Sequence, residues 1–447
     1  MTKKLFGTDG VRGVANVYPM TAEFAVKLGM ACGQEICRNK QRAAIGRDTR
    51  ISGEMLEAGL TAGLTAAGID VVKLGVLPTP AVTSVTPELG VDMSFMITAS
   101  HNPYQDNGIK LITAEGDKFS DEVTSRLEEL IAADRFELDG GRLGTVSENK
   151  EAVVLYLEKA KSFIESDRPL KGLRVVLDCA NGVFADIMPQ VFKDLGAGVI
   201  ALGNRPDGCN INKDCGSQHP EKMFETVRDA HAHLGIAVDG DGDRIIVCNE
   251  KGEKVASEQL IAFLAETLKE EGKYNGNAVV STVLSNTALE RYIRSLGMEY
   301  YSTKVGERAV IAKMREVGCS VGGEESGHVV LADYGKTGDG MVAGLLLSLG
   351  LLKSGRKMSE IFPRFAFDPF VFVNPRVASR EVVRQAVADE RVKAAVKAAE
   401  EKIAGRGRVV LHPSGTEPLI RVWVSGSDEA LVRELSDSIV NEIKRFQ

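Results

Sequence analysis

Three times in this chain a short apolar run breaks at a polar turn, continues as a segment with helical spacing, stops at a glycine and resumes as a second apolar run. A helix joining two strands has to cover the sheet they form, so this alternation predicts βαβ units. The first runs from Ala43-Ala44-Ile45-Gly46 through a helix over 52–67, stopped by Gly68, to Val71-Val72-Lys73-Leu74. The second opens at Leu173-Arg174-Val175-Val176-Leu177-Asp178, turns at Asn181-Gly182 and, after Leu195-Gly196, returns as Val199-Ile200-Ala201-Leu202. The third opens at Ala278-Val279-Val280-Ser281-Thr282-Val283, with a helix over 287–296 and Gly297 behind it. Beyond Phe362-Pro363 the pattern changes to Phe370-Val371-Phe372-Val373, a charged helical run over 380–403, the apolar runs Arg408-Val409-Val410-Leu411 and Leu419-Ile420-Arg421-Val422-Trp423-Val424, and a closing helix. The predicted fold class is therefore α/β, with three similar mixed α/β domains in series (1–153, 154–253, 254–366) plus a smaller C-terminal α+β domain (367–447).

Charge narrows the function. A formal net charge of -7 provides no global positive field for nucleic acid or an anionic membrane. An anionic substrate must then be held by local cations. The greasiest run, 341–352, is short of the roughly 20 residues that span a bilayer and reads as a buried helix. The opening Met1-Thr2-Lys3-Lys4 has no apolar stretch of signal-peptide length behind it, and the seven cysteines contain no C-x-x-C pair, so the expectation is a cytoplasmic protein with reduced thiols.

Open α/β sheets place ligands at the carboxyl ends of their strands, which directs attention to the loops there. In Val238-Asp239-Gly240-Asp241-Gly242-Asp243-Arg244, three carboxylates alternate with glycines between strand-like flanks and can converge on one hard divalent cation. An EF-hand is excluded because Arg244 stands where its sixth-position glycine belongs. Three carboxylates leave coordination positions open, which suits Mg²⁺ bridging to a phosphate. Ile97-Thr98-Ala99-Ser100-His101-Asn102-Pro103 follows an apolar strand and offers a serine with His101 beside it and Lys110 shortly after. Histidine, lysine and a nearby cation are the groups able to activate a hydroxyl toward phosphorus. Gly322-Gly323-Glu324-Glu325-Ser326-Gly327-His328 brings two carboxylates, a hydroxyl and an imidazole to a close-approaching backbone suited to sugar hydroxyls, and it is also good hairpin sequence. His412-Pro413-Ser414-Gly415-Thr416-Glu417-Pro418 with Arg421 can cradle a phosphate or simply turn. Arg12, in Gly7-Thr8-Asp9-Gly10-Val11-Arg12-Gly13, is a further candidate cation for phosphate, and Arg47 a weaker one that a local ion pair with Asp48 would explain equally.

These four loops, in this order and over essentially the whole chain, resemble those of the α-D-phosphohexomutase family, and the opening Lys4-Leu5-Phe6-Gly7-Thr8-Asp9-Gly10-Val11-Arg12-Gly13 is similar to its bacterial amino-sugar branch. The resemblance implies four domains around one central cleft, with a C-terminal domain that moves. It implies an exchange of phosphate between C6 and C1 of a hexosamine phosphate, with phosphoglucomutase or phosphomannomutase activity as the alternative. A non-catalytic sugar-phosphate binder is the reading from another class, and it has no need of a nucleophile. The implied mechanism uses a phosphoserine at Ser100, held with Mg²⁺ by Asp239, Asp241 and Asp243, and a hexose 1,6-bisphosphate as intermediate and activator. Lys110 is then the favoured acid/base with His101 and His328 near it, and Arg244 stabilises the transferring phosphoryl. Arg12, Glu324, Glu325, Ser326, Ser414, Gly415, Thr416 and Arg421 bind substrate, and a homodimer is a possible assembly. Two positions depart from the family pattern: Glu325 where the amino-sugar branch has Gln, and His412 where the phosphate loop begins with Arg.

Overall fold

The structure is a computed structural model describing residues 5–7, 9–413 and 418–447. Its first sheet contains β1 (Val11–Val14), β2 (Arg42–Arg47), β3 (Asp70–Val76), β4 (Met93–Ile97), β5 (Asp106–Thr113) and β6 (Val146–Glu148) in the order β1-β5-β4-β2-β3-β6. The strands β4, β2, β3 and β6 run parallel; on one side β5 pairs antiparallel with β4, and β1 pairs antiparallel with β5. The second sheet, built from β7 (Arg174–Asp178), β8 (Gly198–Leu202), β9 (Leu234–Val238), β10 (Ile245–Asn249) and β11 (Lys254–Val255), is ordered β11-β10-β9-β7-β8. The third has β12 (Ala278–Thr282), β13 (Glu299–Thr303), β14 (Val321–Gly323) and β15 (Val329–Leu331) in the order β13-β12-β14-β15. β4, β9, β10 and β12 are buried at every position, as strands covered on both faces must be.

The segment after Pro103, which the sequence shows only as a continuation of the serine loop, is the strand β5. It registers Lys110 opposite Met96 and so fixes the lysine on a sheet. A second difference concerns the charged run over 380–403, which is two helices, Arg380–Ala388 and Glu390–Ile403. Asp389 breaks it: its backbone is extended, at φ -63 and ψ 134, and its carboxylate caps the second helix by accepting from the Arg391 and Val392 amides.

One apolar interior continues through the three α/β sheets, whereas the C-terminal unit has its own. That unit is the antiparallel sheet of β16 (Phe370–Val373), β17 (Gly407–Pro413) and β18 (Ile420–Gly426), ordered β16-β18-β17, with helices over one face. Polar contacts to the third domain secure it: the Arg291 guanidinium grips Asp368 at 2.5 and 2.6 Å, and Arg408 reaches Val283 O and Ser302 Oγ, both at 3.4 Å.

The apolar run over 341–352 is a buried helix, Gly340–Ser354, packed between the second and third domains. Among the described residues no helix is long and apolar enough to cross a membrane. Asp339 caps this helix by accepting from the Met341 and Val342 amides at 3.0 Å, and Tyr156 OH donates to its other oxygen at 2.8 Å. Burial nevertheless dominates and pushes the Asp339 carboxyl up to about 6. A raised carboxyl binds its proton more tightly when folded, so stability is lost as pH rises through the interval from its ordinary 3.8 to about 6. Asp339→Asn keeps an acceptor and cannot ionise. Apart from a constant offset, the variant should gain on the wild type by up to about 3 kcal/mol between pH 4 and 7, read from urea unfolding at each pH.

Candidate active site

β4 ends at Ile97, and three residues later Ser100 turns the chain with φ +53, a left-handed conformation uncommon outside glycine. Arg50 holds it there. This guanidinium is wholly buried, pairs with Asp48 at 2.8 Å, and donates to the carbonyls of Ser100 (3.0 Å), Asn102 (2.8 Å) and Asp106 (2.9 Å), with a further contact to Pro103 O. From the second domain, Asn212 Nδ2 donates to the same Ser100 and Asn102 carbonyls at 2.8 and 3.0 Å. Thr98 Oγ1 completes the seat, accepting from the Ser100 amide at 2.9 Å and donating to Asp48 at 2.7 Å.

The acidic loop joins β9 to β10 and reaches across the domain boundary to this turn. Gly240 passes so close that a Cβ there would lie 2.8 Å from Ser100 O, and Gly242 takes φ +79. Asp239, Asp241 and Asp243 are buried, with one carboxylate oxygen from each within 4.8 Å of the others. Ser100 Oγ donates to Asp239 Oδ2 at 2.6 Å, and its other neighbour is His101 Nδ1 at 3.3 Å. Lys110 Nζ donates to Asp241 Oδ2 at 2.7 Å and to Asp243 Oδ2 at 3.0 Å, and Thr79 Oγ1 donates to Asp241 Oδ2 at 2.7 Å.

Electrostatics separate the three carboxylates. Burial, with Asp243 and Asp241 adding to it, pushes Asp239 well up. Burial acts the same way on Asp241, but the charge and hydrogen bond of Lys110 and the hydroxyl of Thr79 outweigh it and hold that carboxyl low. Lys110 is raised well above its ordinary value because Asp241, Asp243 and Asp9 more than offset its desolvation. The buried Oδ1 atoms of Asp241 and Asp243 accept no hydrogen bond. A triad of hard oxygens with two of them unsatisfied and one carboxyl driven toward neutrality fits a divalent cation.

The third domain closes the cluster. Arg244 Nε donates to His328 Nε2 at 3.0 Å, and the Arg244 amide donates to Asp239 Oδ1 at 3.1 Å. His328 Nδ1 lies 3.6 Å from Asp243 Oδ1 and 3.8 Å from Glu307 Oε1. Glu307 also accepts from Lys118 at 2.9 Å; Lys118 pairs with Asp9 at 2.7 Å, and Asp9 with Arg12 at 2.5 Å. Arg12 thus stands at the rim of the cluster, its NH1 donating to Ala99 O at 3.4 Å. His101 is held neutral, its pKa lowered to about 3 by burial and by the charges of Arg244 and Arg12.

Glu324 spends Oε1 on the Gly306 amide at 2.9 Å, Glu325 accepts from Thr282 Oγ1 at 3.0 Å, and Ser326 is half-buried between them and Gly327. Burial raises the Glu325 carboxyl. Arg421 is not in the cluster: it lies on β18 directly across from His412 on β17. Burial and the Arg421 charge lower the His412 pKa. Ser414, Gly415 and Thr416 lie outside the described residues. Arg47 faces away, toward Glu54 at 3.2 Å and Glu57 at 3.7 Å. Sequence reading missed Arg50, Asn212, Thr79, Lys118 and Glu307. Only Arg50 left a signal, an arginine two positions after Asp48 at a strand's carboxyl end.

Three α/β units bring a hydroxyl, an acidic triad and a histidine-bearing loop to one point, an arrangement suited to the phosphoryl-transfer class of enzyme. Family models agree with that class: domains I, II and III of phosphoglucomutase/phosphomannomutase match residues 3–138, 155–252 and 256–366, and its C-terminal domain matches 373–442. The chain belongs to the α-D-phosphohexomutase family and is an isomerase. More particularly, it is 46% identical to the phosphoglucosamine mutase of Paramagnetospirillum magneticum, over 100% of this chain and 99% of that one. It is also 42% identical to that of Rhizobium meliloti, over 99% and 98%. A solved phosphoglucomutase/phosphomannomutase family protein from Burkholderia thailandensis superposes with a TM-score of 0.82 at 27% identity, over 99% of this chain and 97% of that one. The N-acetylphosphoglucosamine mutase of Aspergillus fumigatus, solved with GlcNAc-6P and magnesium, shares the fold at a TM-score of 0.62 and 16% identity, over 99% and 95%.

Arg50→Met would leave the buried Asp48 carboxylate without its counter-charge and take one donor from each of the loop carbonyls. The expected cost is about 3–5 kcal/mol of folding stability, measured as a lower urea midpoint.

Proposed function

We propose that the protein is a phosphoglucosamine mutase, interconverting glucosamine 6-phosphate and glucosamine 1-phosphate in the cytoplasm through a phosphoserine at Ser100. The observation that carries the reaction is the buried Ser100 hydroxyl, 2.6 Å from Asp239 in a triad of carboxylates. Support for the substrate comes from relatives of that name matching 42–46% over nearly their whole length. A sugar-phosphate binder has no use for a nucleophile seated in this way.

Asp239, Asp241 and Asp243, with the Ser100 phosphate, would hold Mg²⁺, which supplies charge neutralisation to the phosphoryl group. In the first half-reaction the bond between phosphorus and Ser100 Oγ breaks as one forms to the free sugar hydroxyl. The hydroxyl proton is exchanged against Ser100 Oγ through Lys110, whose ammonium is held charged among Asp241, Asp243 and Asp9. His101 is too weak a base to keep that proton and serves to orient the hydroxyl. Arg244, braced by His328, faces the phosphoryl in flight. The hexose 1,6-bisphosphate then reverses its orientation, and its other phosphate returns to Ser100 by the same steps. Glu324, Glu325 and Ser326 bind the sugar hydroxyls and the C2 amino group; Glu325 has one oxygen engaged by Thr282 and the other for substrate. Ser414, Gly415, Thr416 and Arg421 hold the phosphate that is not transferred, aided by Arg12 at the rim. His412, kept neutral by burial and Arg421, adds hydrogen bonding but no charge to that grip.

Phosphoglucomutase or phosphomannomutase activity is the second reading, favoured by the description of the family models that match. Rates with glucosamine 6-phosphate, glucose 1-phosphate and mannose 1-phosphate, measured side by side with Mg²⁺ and hexose 1,6-bisphosphate, decide between them. The amino sugar should lead in kcat/KM, and a lead for either neutral sugar would overturn the assignment. Intact-mass analysis should find one phosphate, on Ser100, and Ser100→Ala should lose nearly all turnover. Arg421→Ala removes a charge-assisted contact worth about 1.5–3 kcal/mol, so kcat/KM should fall roughly 10- to 150-fold with Ser100 still phosphorylated. Full kcat/KM in that variant would take the C-terminal domain out of phosphate binding.

A further inference from the structure

Thr79 belongs to the first domain, yet two of its atoms are committed to the acidic loop of the second. Its amide donates to Asp241 O at 2.9 Å and its hydroxyl to Asp241 Oδ2 at 2.7 Å, 162 residues away in sequence. The side chain is buried, between Pro78 and Pro80, which fix the chain's entry into the helix Thr79–Val85. Asp241 Oδ2 therefore already has two donors, Thr79 Oγ1 and Lys110 Nζ, whereas its Oδ1 is buried and has none. The two oxygens of one carboxylate have been made unequal by their neighbours.

We infer that Thr79 is a positioning residue for the cation, holding Asp241 to a single free oxygen and thereby favouring Mg²⁺ over Ca²⁺. The inference rests on the metal assignment above and adds to it a residue and a selectivity. Magnesium demands near-octahedral geometry with short, one-oxygen contacts, while calcium accepts two oxygens from one carboxylate and a looser shell. A hydroxyl that occupies Oδ2 and fixes the plane of the carboxylate penalises the second mode. Hydrogen-bond partners of metal ligands typically change metal affinity by about 10- to 100-fold when removed. Because Thr79 touches Asp241 with both main chain and side chain, only the hydroxyl is at issue in a side-chain substitution.

The test is calorimetric titration of the metal-stripped full-length protein with MgCl2 and, separately, CaCl2, with no turnover involved. Wild type, Thr79→Val, Thr79→Ala, Thr79→Ser and Asp241→Asn are compared, and a thermal melt of each in the absence of metal checks folding. Thr79→Val and Thr79→Ala should bind Mg²⁺ about 10- to 100-fold more weakly, with a smaller loss for Ca²⁺, so that the Mg²⁺/Ca²⁺ preference falls. Thr79→Ser keeps the hydroxyl and should stay within about threefold of wild type for both ions. Unchanged Mg²⁺ affinity in the Val or Ala variant, an equal loss for both ions, or a Ser variant as weak as Ala would each overturn the inference. If Val and Ala do not fold, Ser decides alone: wild-type affinity and preference support the hydroxyl, and loss of either removes it. The underlying metal assignment fails separately, if wild type takes up no Mg²⁺ or Asp241→Asn binds it as well as wild type does.

Discussion

Lys110 donates to Asp241 and Asp243 while Ser100 donates to Asp239, and these short bonds tie the first domain to the loop of the second. Three carboxylates drawn into one buried volume repel one another and lose their water, a cost that only counter-charge and hydrogen bonds can offset. The chain meets it unevenly. Lys110 and Thr79 hold Asp241 ionised, whereas Asp239 is driven toward neutrality and left beside the Ser100 hydroxyl. The site is thus assembled with a deficit of positive charge, and that deficit is what makes it receptive to a divalent cation.

The seat of Ser100 obeys a similar constraint. A serine at positive φ turns its carbonyl inward, and such a carbonyl must find donors or forfeit a hydrogen bond. Arg50 and Asn212 supply them from two domains, so both domains contribute to the turn. Charge continues outward along Lys110, Asp9, Lys118 and Glu307, whose carboxylate lies beside His328, and this gives the third domain a stake in the same geometry. The C-terminal domain stands apart from this interior, with its own apolar core and polar contacts to its neighbour, the form that permits relative movement of domains.

Much of this was legible from residue order alone. Strand periodicity located β2, β3, β7, β8 and β12, and the alternation of Asp and Gly announced the triad, because a carboxylate at every second position on a curling loop has few other uses. Strand β5 was not legible, since Asp106-Asn107-Gly108 reads as a turn until β4 and β1 supply partners on either side. The helix break at Asp389 was also hidden, because a capping aspartate differs from a surface one only in where its carboxylate points.

By itself the sequence determined the three α/β units, the smaller last domain and the family, and it singled out Ser100 and the three aspartates that the structure brings together. Each depends on local periodicity or on a spacing of a few residues, which the chain carries with it. Only the tertiary structure decided that Arg50 rather than Arg47 grips the serine loop, that Thr79 and Lys110 share one oxygen of Asp241, and that Glu307 and Lys118 lie behind His328. Those partners are 21 to 189 residues apart in the chain. What selects them is the closeness that burial imposes on charges, and no local pattern records it.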